Sequence, residues 1–285
     1  MSGLPLSGER VIEDAYKGTP GLHAIYLMHV ASYRFAQRYT VGRRVLDLGC
    51  GSGYGSALVA TGATDVVAVD VSRDAIAYAA NHHGAPNLVY QVIRPGESLP
   101  FADASFDVVL SFQVIEHVAD DVAYIAEARR VMREGGTLIV ITPNRTVRLL
   151  RGQKPWNRWH LREYDAASLT SLFVRARMSA DMYYMTVSDR IAAIEKKRYR
   201  RLKWLTLPFT LPFLPEPLRV LGLNLLHAVA PKTKVGSTPG PGDLDESEID
   251  IGRRSNGALN LVAIAEKNTV VRADVCAVLT DPLTP

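Results

Sequence analysis

Cysteine is scarce in this chain: only two occur among 285 residues, Cys50 and Cys276. Two distant thiols provide no disulfide framework, so we expect a reducing, cytoplasmic location. Residues 1–18 lack a basic stretch followed by an apolar run, and we therefore predict no secretory leader. The formal net charge is only +4 and 47% of the residues are hydrophobic, which is typical of a globular α/β domain with a sizeable core.

Uninterrupted hydrophobic runs are also lacking. The most apolar stretch, Trp204–Ala230, is broken by prolines and charges. These are Pro208, Pro212, Pro215, Pro217, Glu216 and Arg219. A spanning helix needs about 20 apolar residues with every backbone hydrogen bond made internally, and proline removes donors. We predict that this segment does not cross a membrane.

What the chain does contain is an alternation of short apolar runs with helical patterns. This alternation predicts a parallel sheet covered by helices on both faces. The predicted strands are Arg44–Leu48, Val66–Asp70, Leu88–Val92, Asp107–Phe112, Thr137–Thr142, Ala180–Val187 and Ala258–Ala265. The predicted helices are Gly21–Tyr39, Tyr54–Ala60, Ala75–Asn81, Val122–Arg133 and Ala166–Arg177.

Residues 188–257 are interpreted as a lid-like insertion between the last two predicted strands. The insertion carries a basic run, the proline-broken apolar segment and a Gly/Pro/Ser/Asp-rich linker at 231–248 that we expect to be mobile. The predicted main domain therefore comprises residues 1–187, with an N-terminal cap helix, together with 258–266. Residues 267–285 form a tail.

A glycine-rich turn, Asp47–Gly53 (DLGCGSG), follows the first predicted strand. In a parallel sheet this first strand–turn–helix corner can receive a nucleotide. The acid at its start can bind a cationic amine, and Asp70, which ends the next strand, can accept hydrogen bonds from both ribose hydroxyls. A dinucleotide site would need a third glycine where Tyr54 stands. The missing glycine disfavours the alternative of a nicotinamide oxidoreductase, whereas a phosphate-free ligand such as S-adenosylmethionine remains compatible with the pattern.

Four motifs occur in a fixed order along the chain: VLDLGCGSGYGS, VVAVDVS, ESLPFADASFDVVLSFQVIEHV and RRVMREGGTLIVITPN. They resemble the successive motifs of class I S-adenosylmethionine-dependent methyltransferases, and in particular the branch with bacterial glycan and small-molecule O-methyltransferases. The resemblance is strong over about residues 40–145 and does not extend to the insertion. It implies a Rossmann-like sheet of seven strands with the last antiparallel.

The resemblance also implies the cofactor-binding residues. The methionine part would be held by Asp47, Gly49, Cys50, Gly51 and Gly53. Asp70 would bind the ribose, with Val71 beside it. The adenine would lie against Gly96, Glu97 and Ser98, and the sulfonium beside Phe112 and Gln113. One departure concerns Pro95, which stands where many relatives have an acid that contacts the adenine amine. Gly96 backbone or Glu97 would have to substitute for that acid.

Three residues are predicted to carry the acid–base chemistry that a hydroxyl acceptor needs, because its proton must be removed. His117 is the first candidate and Glu116 its orienting neighbour, since both follow the fourth predicted strand. His160 is the rival, in a loop whose two tryptophans would suit a sugar ring. Either histidine could instead be a packing residue. No metal ligands are assigned, and Asp120 and Asp121 are expected to cap a helix.

The cations at 196–203 lie immediately before the apolar segment. Such a run is usually a solvated helix face, but with residues up to 230 it could also make peripheral contact with the inner face of a membrane. Nucleic acid is not an expected partner. We therefore predict O-methylation of a sugar, a glycolipid or another small hydroxyl acceptor. The alternatives are methylation of a prenylated quinone-type lipid or a small amine, or a methyltransferase-like binding protein without turnover.

Overall fold

The computed structural model describes residues 19–229 and 244–268. The helices are α1 (Pro20–Thr40), α2 (Tyr54–Ala60), α3 (Arg73–His82), α4 (Asp121–Val131), α5 (Arg145–Arg148), α6 (Ala166–Arg175), α7 (Asp189–Thr206) and α8 (Glu216–Val229). The strands are β1 (Arg44–Leu48), β2 (Asp65–Asp70), β3 (Leu88–Val92), β4 (Phe106–Phe112), β5 (Met132–Pro143), β6 (Ala180–Val187), β7 (Ile249–Gly252) and β8 (Asn260–Glu266). Short 3-10 turns occupy Ile115–His117, Leu207–Phe209 and Glu246–Glu248.

One mixed sheet organises the described residues, in the strand order β3-β2-β1-β4-β5-β8-β6-β7. The pairs from β3 to β5 are parallel, whereas β8 runs antiparallel to both β5 and β6. The prediction of a parallel sheet that includes one antiparallel strand near the chain end is confirmed. Because β1 lies beside both β2 and β4, the carboxyl ends of these strands meet at one edge, where the glycine turn lies.

Both faces of the sheet are buried, which explains the wholly apolar strands. Alternate residues of β1 illustrate this: Val45 packs with α1 and α2 on one face, and Leu46 packs with α4 and α6 on the other. Polar side chains cap the covering helices. The Thr19 hydroxyl accepts the Leu22 N–H at the start of α1, and Asp120 accepts the Ala123 N–H at the start of α4.

The strand count differs from the prediction, and the largest difference in a boundary is at the start of the fifth strand. The described sheet has eight strands, because residues 249–252 of the insertion add β7 at its edge. Strand β5 begins at Met132, five residues before the predicted start, because Phe106 pairs with Met132 across a register shift and Gly135 turns with φ +73°. The predicted helix Val122–Arg133 correspondingly ends two residues earlier, at Val131.

The insertion contains helices that the sequence analysis did not predict. Helices α7 and α8 lie between β6 and β8, as does β7. Part of the predicted linker is ordered, since Leu244 is buried and Glu246 pairs with Arg34 of α1. Residues 231–243 of that linker lie outside the described residues, as do most of the predicted tail and the first 18 residues. Among the described residues, no helix is long and apolar enough to cross a bilayer.

Candidate active site

The glycine turn after β1 has one glycine that faces open space. Gly49, Gly51 and Gly53 all have positive φ, of +91°, +55° and +87°. A Cβ on Gly49 would lie 2.4 Å from the Val114 side chain, and one on Gly53 would lie 2.5 Å from Ala79. A Cβ on Gly51 would meet nothing within 4 Å. Two glycines are therefore required by internal packing, and the third leaves bare backbone for a ligand.

Asp47 is buried beneath the turn. Its Oδ2 accepts hydrogen bonds from the Ser56 hydroxyl at 2.6 Å and from the Tyr33 hydroxyl at 3.2 Å, and its side chain is almost inaccessible to solvent. Burial raises the pKa of Asp47 to about 6, against the opposing effect of these two hydroxyls. The carboxylate thus ties β1 to α1 and α2. Its direct contact with a cofactor amine stays a prediction.

Tyr33 of α1 is a site residue that the sequence analysis missed. Besides its bond to Asp47, its ring lies 4.9 Å from the Phe112 ring, edge to face, and a Cβ on Gly55 would clash with it at 2.0 Å. The aromatic ring of Tyr54 packs 5.9 Å away. Only the helical spacing of Tyr33 was visible in the sequence, because its partners lie on three other elements.

Asp70 lies at the carboxyl end of β2, beside the turn. Its Oδ2 accepts the Gly51 N–H at 3.1 Å and its Oδ1 accepts the Ser72 N–H at 2.8 Å. Each carboxylate oxygen has a second lone pair, so both can still accept a hydroxyl. Val71 is 53% exposed directly after it. These features match the predicted ribose end of the site.

The predicted adenine segment lies on an exposed loop after β3. Gly96 has φ +76°, and the side chains of Glu97 and Ser98 are exposed. Glu97 pairs with Arg94 at 3.4 Å on the surface, and Pro95 is exposed as well. The loop follows the strand next to β2, so it borders the same sheet edge as Asp70. Contact of this loop with adenine remains a prediction.

Gln113 has an unusual backbone conformation at the end of β4. Its φ is +58°, which is rare for a residue with a Cβ and costs of order 1–3 kcal/mol. The Gln113 N–H donates to Ile141 O at 2.7 Å, and its side-chain amide donates to Asn260 Oδ1 at 3.3 Å. After this strained residue the chain passes Gly49, so that the Val114 side chain packs against that glycine. Strain of this kind often accompanies a functional site.

A cleft of about 170 Å³ opens beside Gln113, at the carboxyl edge of the sheet. Its walls come from α1, the residues after β4 and β5, the start of β8, the loop at 156–160 and the inserted helix α7. The lining residues are Ile25, Met28, His29, Gln113, Glu116, His117, Pro143, Arg148, Trp156, Asn157, His160, Arg198, Tyr199 and Asn260. The cleft therefore brings together all three predicted catalytic residues and places them next to the predicted sulfonium position.

Glu116, His117 and His160 form one cluster in this cleft. One nitrogen of each imidazole and one Glu116 oxygen all lie within 4.8 Å of one another. The two imidazole rings meet edge to face, 4.8 Å between centroids. Burial raises the pKa of Glu116 to about 7 and lowers the pKa of His160 to about 4. His160 is therefore neutral at neutral pH, and Glu116 is poised between its two protonation states.

Polar residues around the cluster hold its side chains in place by hydrogen bonds. Glu116 Oε2 accepts the Thr142 hydroxyl at 2.9 Å, and His160 Nδ1 lies 2.9 Å from Glu163 Oε1. Burial opposes the ionisation of Glu163, but Arg148 and His160 outweigh it and lower the pKa of Glu163 to about 2. Arg148 reaches Glu163 at 3.0 Å and is itself buried. The sequence analysis missed Arg148 and did not give Glu163 a role.

The inserted helices hold the loop that carries His160. Arg219 of α8 is 1% exposed, and its guanidinium donates to the carbonyls of Pro155, Asn157, Arg158 and His160 at 2.7–3.5 Å. Glu216 neutralises its charge. The insertion therefore positions the loop in addition to contributing α7 residues to the cleft wall.

The two tryptophans of this loop differ in their surroundings. Trp156 lines the cleft, its indole N–H donates to Arg148 O at 3.2 Å, and the Arg148 guanidinium lies 4.2 Å from its ring centre. Trp159 is 49% exposed and lines no part of the cleft. Of the other histidines, His29 reaches the cleft and His23 does not.

Comparison with known proteins agrees with this geometry. Residues 46–140 match the family described as "Methyltransferase domain". A probable S-adenosylmethionine-dependent methyltransferase of Mycolicibacterium smegmatis is 38% identical over 180 residues, which are 61% of this chain and 65% of that protein. The ubiquinone biosynthesis O-methyltransferase of Rhizobium rhizogenes is 40% identical over 110 residues, 38% of this chain and 44% of that one. The chain thus spans less than two thirds of the length of these relatives.

Two solved structures share the fold. The S-adenosylmethionine-dependent methyltransferase from Mesorhizobium loti has a TM-score of 0.50 at 14% identity and covers 82% of this chain and 97% of its own. The [4+2]-cyclase SpnF has a TM-score of 0.53 at 17% identity, over 84% and 80%. Residues 46–140 therefore form a methyltransferase domain, and the chain has the fold of the S-adenosylmethionine-dependent methyltransferases to which it is similar.

The corner fits the cofactor of this class. The bare backbone at Gly51, the paired oxygens of Asp70 and the exposed apolar Val71 offer a surface for a nucleoside. Near Gln113, next to the corner, the cleft is lined by side chains that are uncharged or paired with an opposite charge. These residues would hold S-adenosylmethionine, which would supply the methyl group for transfer.

Proposed function

We propose that this chain is an S-adenosylmethionine-dependent O-methyltransferase whose acceptor is a hydroxyl of a sugar, a glycolipid or a similar small molecule. The observation that carries the proposal is the Glu116–His117–His160 cluster, which lies in a cleft beside Gln113 and the glycine corner. A hydroxyl is a weak nucleophile until its proton is removed or polarised, and a carboxylate with two imidazoles suits that task.

The residues of the cleft support a defined role for His117. Its Nδ1 lies 3.1 Å from Trp159 O, and a carbonyl can only accept, so Nδ1 carries the proton and Nε2 carries the basic lone pair. When bound, S-adenosylmethionine supplies a methyl group on a positively charged sulfur, and it leaves as S-adenosylhomocysteine. The acceptor oxygen forms the new bond to that carbon, the carbon–sulfur electron pair stays on sulfur, and the hydroxyl proton passes to the cluster.

The shape and polarity of the cleft support a small polar acceptor. Trp156 and Tyr199 provide aromatic walls, while Asn157, Arg198 and Asn260 provide hydrogen-bonding groups. Aromatic rings with polar groups around them suit sugar recognition. The similarity to a ubiquinone biosynthesis O-methyltransferase keeps a phenolic quinone-type acceptor as the nearest alternative, and both acceptors present a hydroxyl.

A product assay tests this proposal. Purified protein is incubated with methyl-labelled S-adenosylmethionine and, in separate reactions, glycan extracts, lipid extracts, phenols and amines. We expect label in an ether linkage that resists mild alkali, with the rate reduced at least about 100-fold in His117→Asn. The matched control is His82→Asn, at an exposed histidine that ends α3. Label found only in methylated amines would contradict the proposal.

The second function to be tested is that of a methyltransferase-like binding protein without turnover. The similarity to a [4+2]-cyclase shows that this fold also occurs in a protein named for a reaction other than methyl transfer. A chain that binds the cofactor but labels none of the acceptors, while lipid and glycan extracts shift its thermal unfolding, would favour this second function.

We also propose peripheral contact with an anionic membrane surface through the insertion. Half of the twelve large exposed apolar side chains of the described residues lie within residues 204–225. They are Trp204, Leu205, Phe213, Leu218, Leu221 and Leu225, each at least 50% exposed. Helical spacing places Lys197, Arg201 and Trp204 on one face of α7. Cations beside exposed apolar side chains are complementary to anionic headgroups and the acyl boundary below them.

Liposome sedimentation tests this contact. We expect binding to vesicles with anionic lipid, weakened by salt and by the double variant Phe213→Ser/Leu221→Ser. The control Val41→Ser alters an apolar side chain that is 66% exposed elsewhere. Absence of binding at low salt would contradict the contact. Loss of a dimer in the double variant, without vesicle binding, would show that the face pairs two copies of the chain.

A further inference from the structure

We infer that Glu116, His117 and His160 bind a divalent transition-metal ion in the acceptor cleft. One ligand atom from each lies within 4.8 Å of the other two. Bonds of about 2.1 Å to two ligands span at most about 4.2 Å, so a small side-chain rotation brings all three atoms onto one ion. Two imidazoles and one carboxylate form a ligand set that suits manganese, iron, cobalt or zinc better than magnesium.

The hydrogen bonds of the two imidazoles have the pattern of metal-binding histidines. His117 Nδ1 donates to Trp159 O at 3.1 Å, and His160 Nδ1 bonds to Glu163 Oε1 at 2.9 Å. A ligating histidine commonly donates its second ring N–H to a carbonyl or a carboxylate, which fixes the ring and turns the other nitrogen toward the metal. Both types of partner occur in this cluster.

An unpartnered oxygen of Glu116 is a second, independent observation in favour of a bound cation. The residue is 1% exposed, and its Oε2 accepts from the Thr142 hydroxyl, yet its buried Oε1 has no hydrogen-bond partner. A buried, unpartnered carboxylate oxygen is costly and calls for a specific explanation. Glu116 lines the cleft that the two imidazoles also line. A cation bonded to Oε1 would supply the missing partner.

The charges around the cluster allow a cation. The cations around it are paired with carboxylates: buried Arg148 with Glu163 at 3.0 Å, and Arg198 in the cleft wall with Glu195 at 2.6 Å. Buried Arg219, which donates to His160 O, is paired with Glu216. The ligand set itself adds one negative charge when Glu116 is ionised. With three protein ligands the ion keeps open positions, so it can coordinate an acceptor hydroxyl and lower the pKa of that hydroxyl. This role in the reaction rests on the proposed function, and with the ion bound it would replace proton transfer to His117 Nε2, because that nitrogen would then be a ligand. The binding of the ion does not rest on the proposed function.

Titration with Co²⁺ in the absence of S-adenosylmethionine tests the inference, because imidazole coordination produces visible ligand-field absorption. We expect one Co²⁺ per chain, displaced by Zn²⁺. Affinity should fall at least about 100-fold in Glu116→Gln and His117→Asn. It should fall about 10-fold or more in Glu163→Gln, which removes the partner that orients His160 and neutralises Arg148. If Glu163→Gln does not fold, the near-isosteric Glu116→Gln decides the outcome.

A histidine on the protein surface, His82, provides the matched control for adventitious Co²⁺ binding. His82 is exposed at the end of α3 with His83 next to it, so His82→Asn removes an exposed adventitious ligand. Its absorption should equal that of the unaltered chain. A signal lost in His82→Asn but kept in Glu116→Gln, or no signal at all, would overturn the inference. A parallel titration with S-adenosylmethionine separates the two proposals, since a chain that binds the cofactor but no Co²⁺ refutes only the metal site.

Discussion

The buried carboxyl group of Asp47 makes the stability of this protein depend on pH in an unusual direction. Its pKa rises from 3.8 to about 6 on folding, chiefly through burial. The folded state therefore holds the proton more tightly than the unfolded chain. The stabilisation is complete below pH 3.8 and is lost as pH rises through about 6. At 1.36 kcal/mol per unit, the full loss is about 3 kcal/mol, of which about 2 kcal/mol falls between pH 4.5 and pH 7.5.

The variant Asp47→Asn isolates this effect. An amide oxygen in the place of Oδ2 keeps the bonds from Ser56 and Tyr33, at 2.6 and 3.2 Å, but cannot ionise. Urea denaturation of both proteins at several pH values gives the difference in the free energy of unfolding. That difference should shift in favour of the variant by about 2 kcal/mol from pH 4.5 to pH 7.5. A constant offset between the two proteins does not affect this shift.

Asp107→Asn is the control. Burial opposes ionisation of Asp107, but the Arg44 N–H and the Arg133 side chain outweigh it and lower its pKa. The stability difference for this variant should stay nearly constant from pH 4.5 to pH 7.5, because the stabilisation by ionised Asp107 is lost only as pH falls below its ordinary pKa of 3.8. Parallel pH profiles of Asp47→Asn and the unaltered protein would refute the reasoning, because they would show that the Asp47 carboxyl ionises as it does in the unfolded chain.

Two further predictions concern the contacts around the site. Tyr33→Phe removes one hydroxyl donor from Asp47 and should lower the free energy of unfolding by about 1 kcal/mol at pH 7.5 in urea denaturation; an unchanged stability would show that this bond contributes nothing. Glu163→Gln leaves the Arg148 charge buried without its partner and should cost about 3–5 kcal/mol. The control Glu246→Gln breaks the accessible ion pair with Arg34 and should change the free energy of unfolding by less than about 1 kcal/mol. Equal losses in Glu163→Gln and Glu246→Gln would contradict the account.

The strands were predictable because their pattern is simple. Runs such as Val66–Asp70 are apolar on both faces and fall within one residue of the observed β2. The glycine turn was predictable for the same reason, since its conformation depends on residues adjacent in sequence. Asp70 could be placed because parallel strands end at a common edge.

The inserted helices were not predictable from hydrophobic periodicity. The buried side of α7 includes Glu195, Tyr199 and Thr206, and its cations obscure the apolar pattern. In α8, Arg219 interrupts an apolar run in the sequence, but in the structure it is buried and bonded to four carbonyls. No local pattern distinguishes such an arginine from one on the surface.

The sequence analysis predicted Glu116, His117 and His160 as separate site residues and not as one cluster. His160 is 44 residues from Glu116 in sequence, and a loop held by the insertion sets their distance. The sequence analysis treated His117 and His160 as rivals, whereas the structure places both in one cluster. It assigned no metal ligands, because the three residues share no recognisable spacing.

The central claim, that the glycine corner binds S-adenosylmethionine, is tested most directly by calorimetric titration of two matched glycine variants. Gly51 and Gly42 have similar positive φ values, +55° and +67°, and a Cβ on either meets nothing within 4 Å. Alanine should therefore cost each a similar strain of about 1 kcal/mol. We predict that Gly42→Ala binds the cofactor like the unaltered chain and that Gly51→Ala loses at least about 10-fold in affinity. Equal affinity in all three proteins, or no binding by the unaltered chain, would contradict the claim.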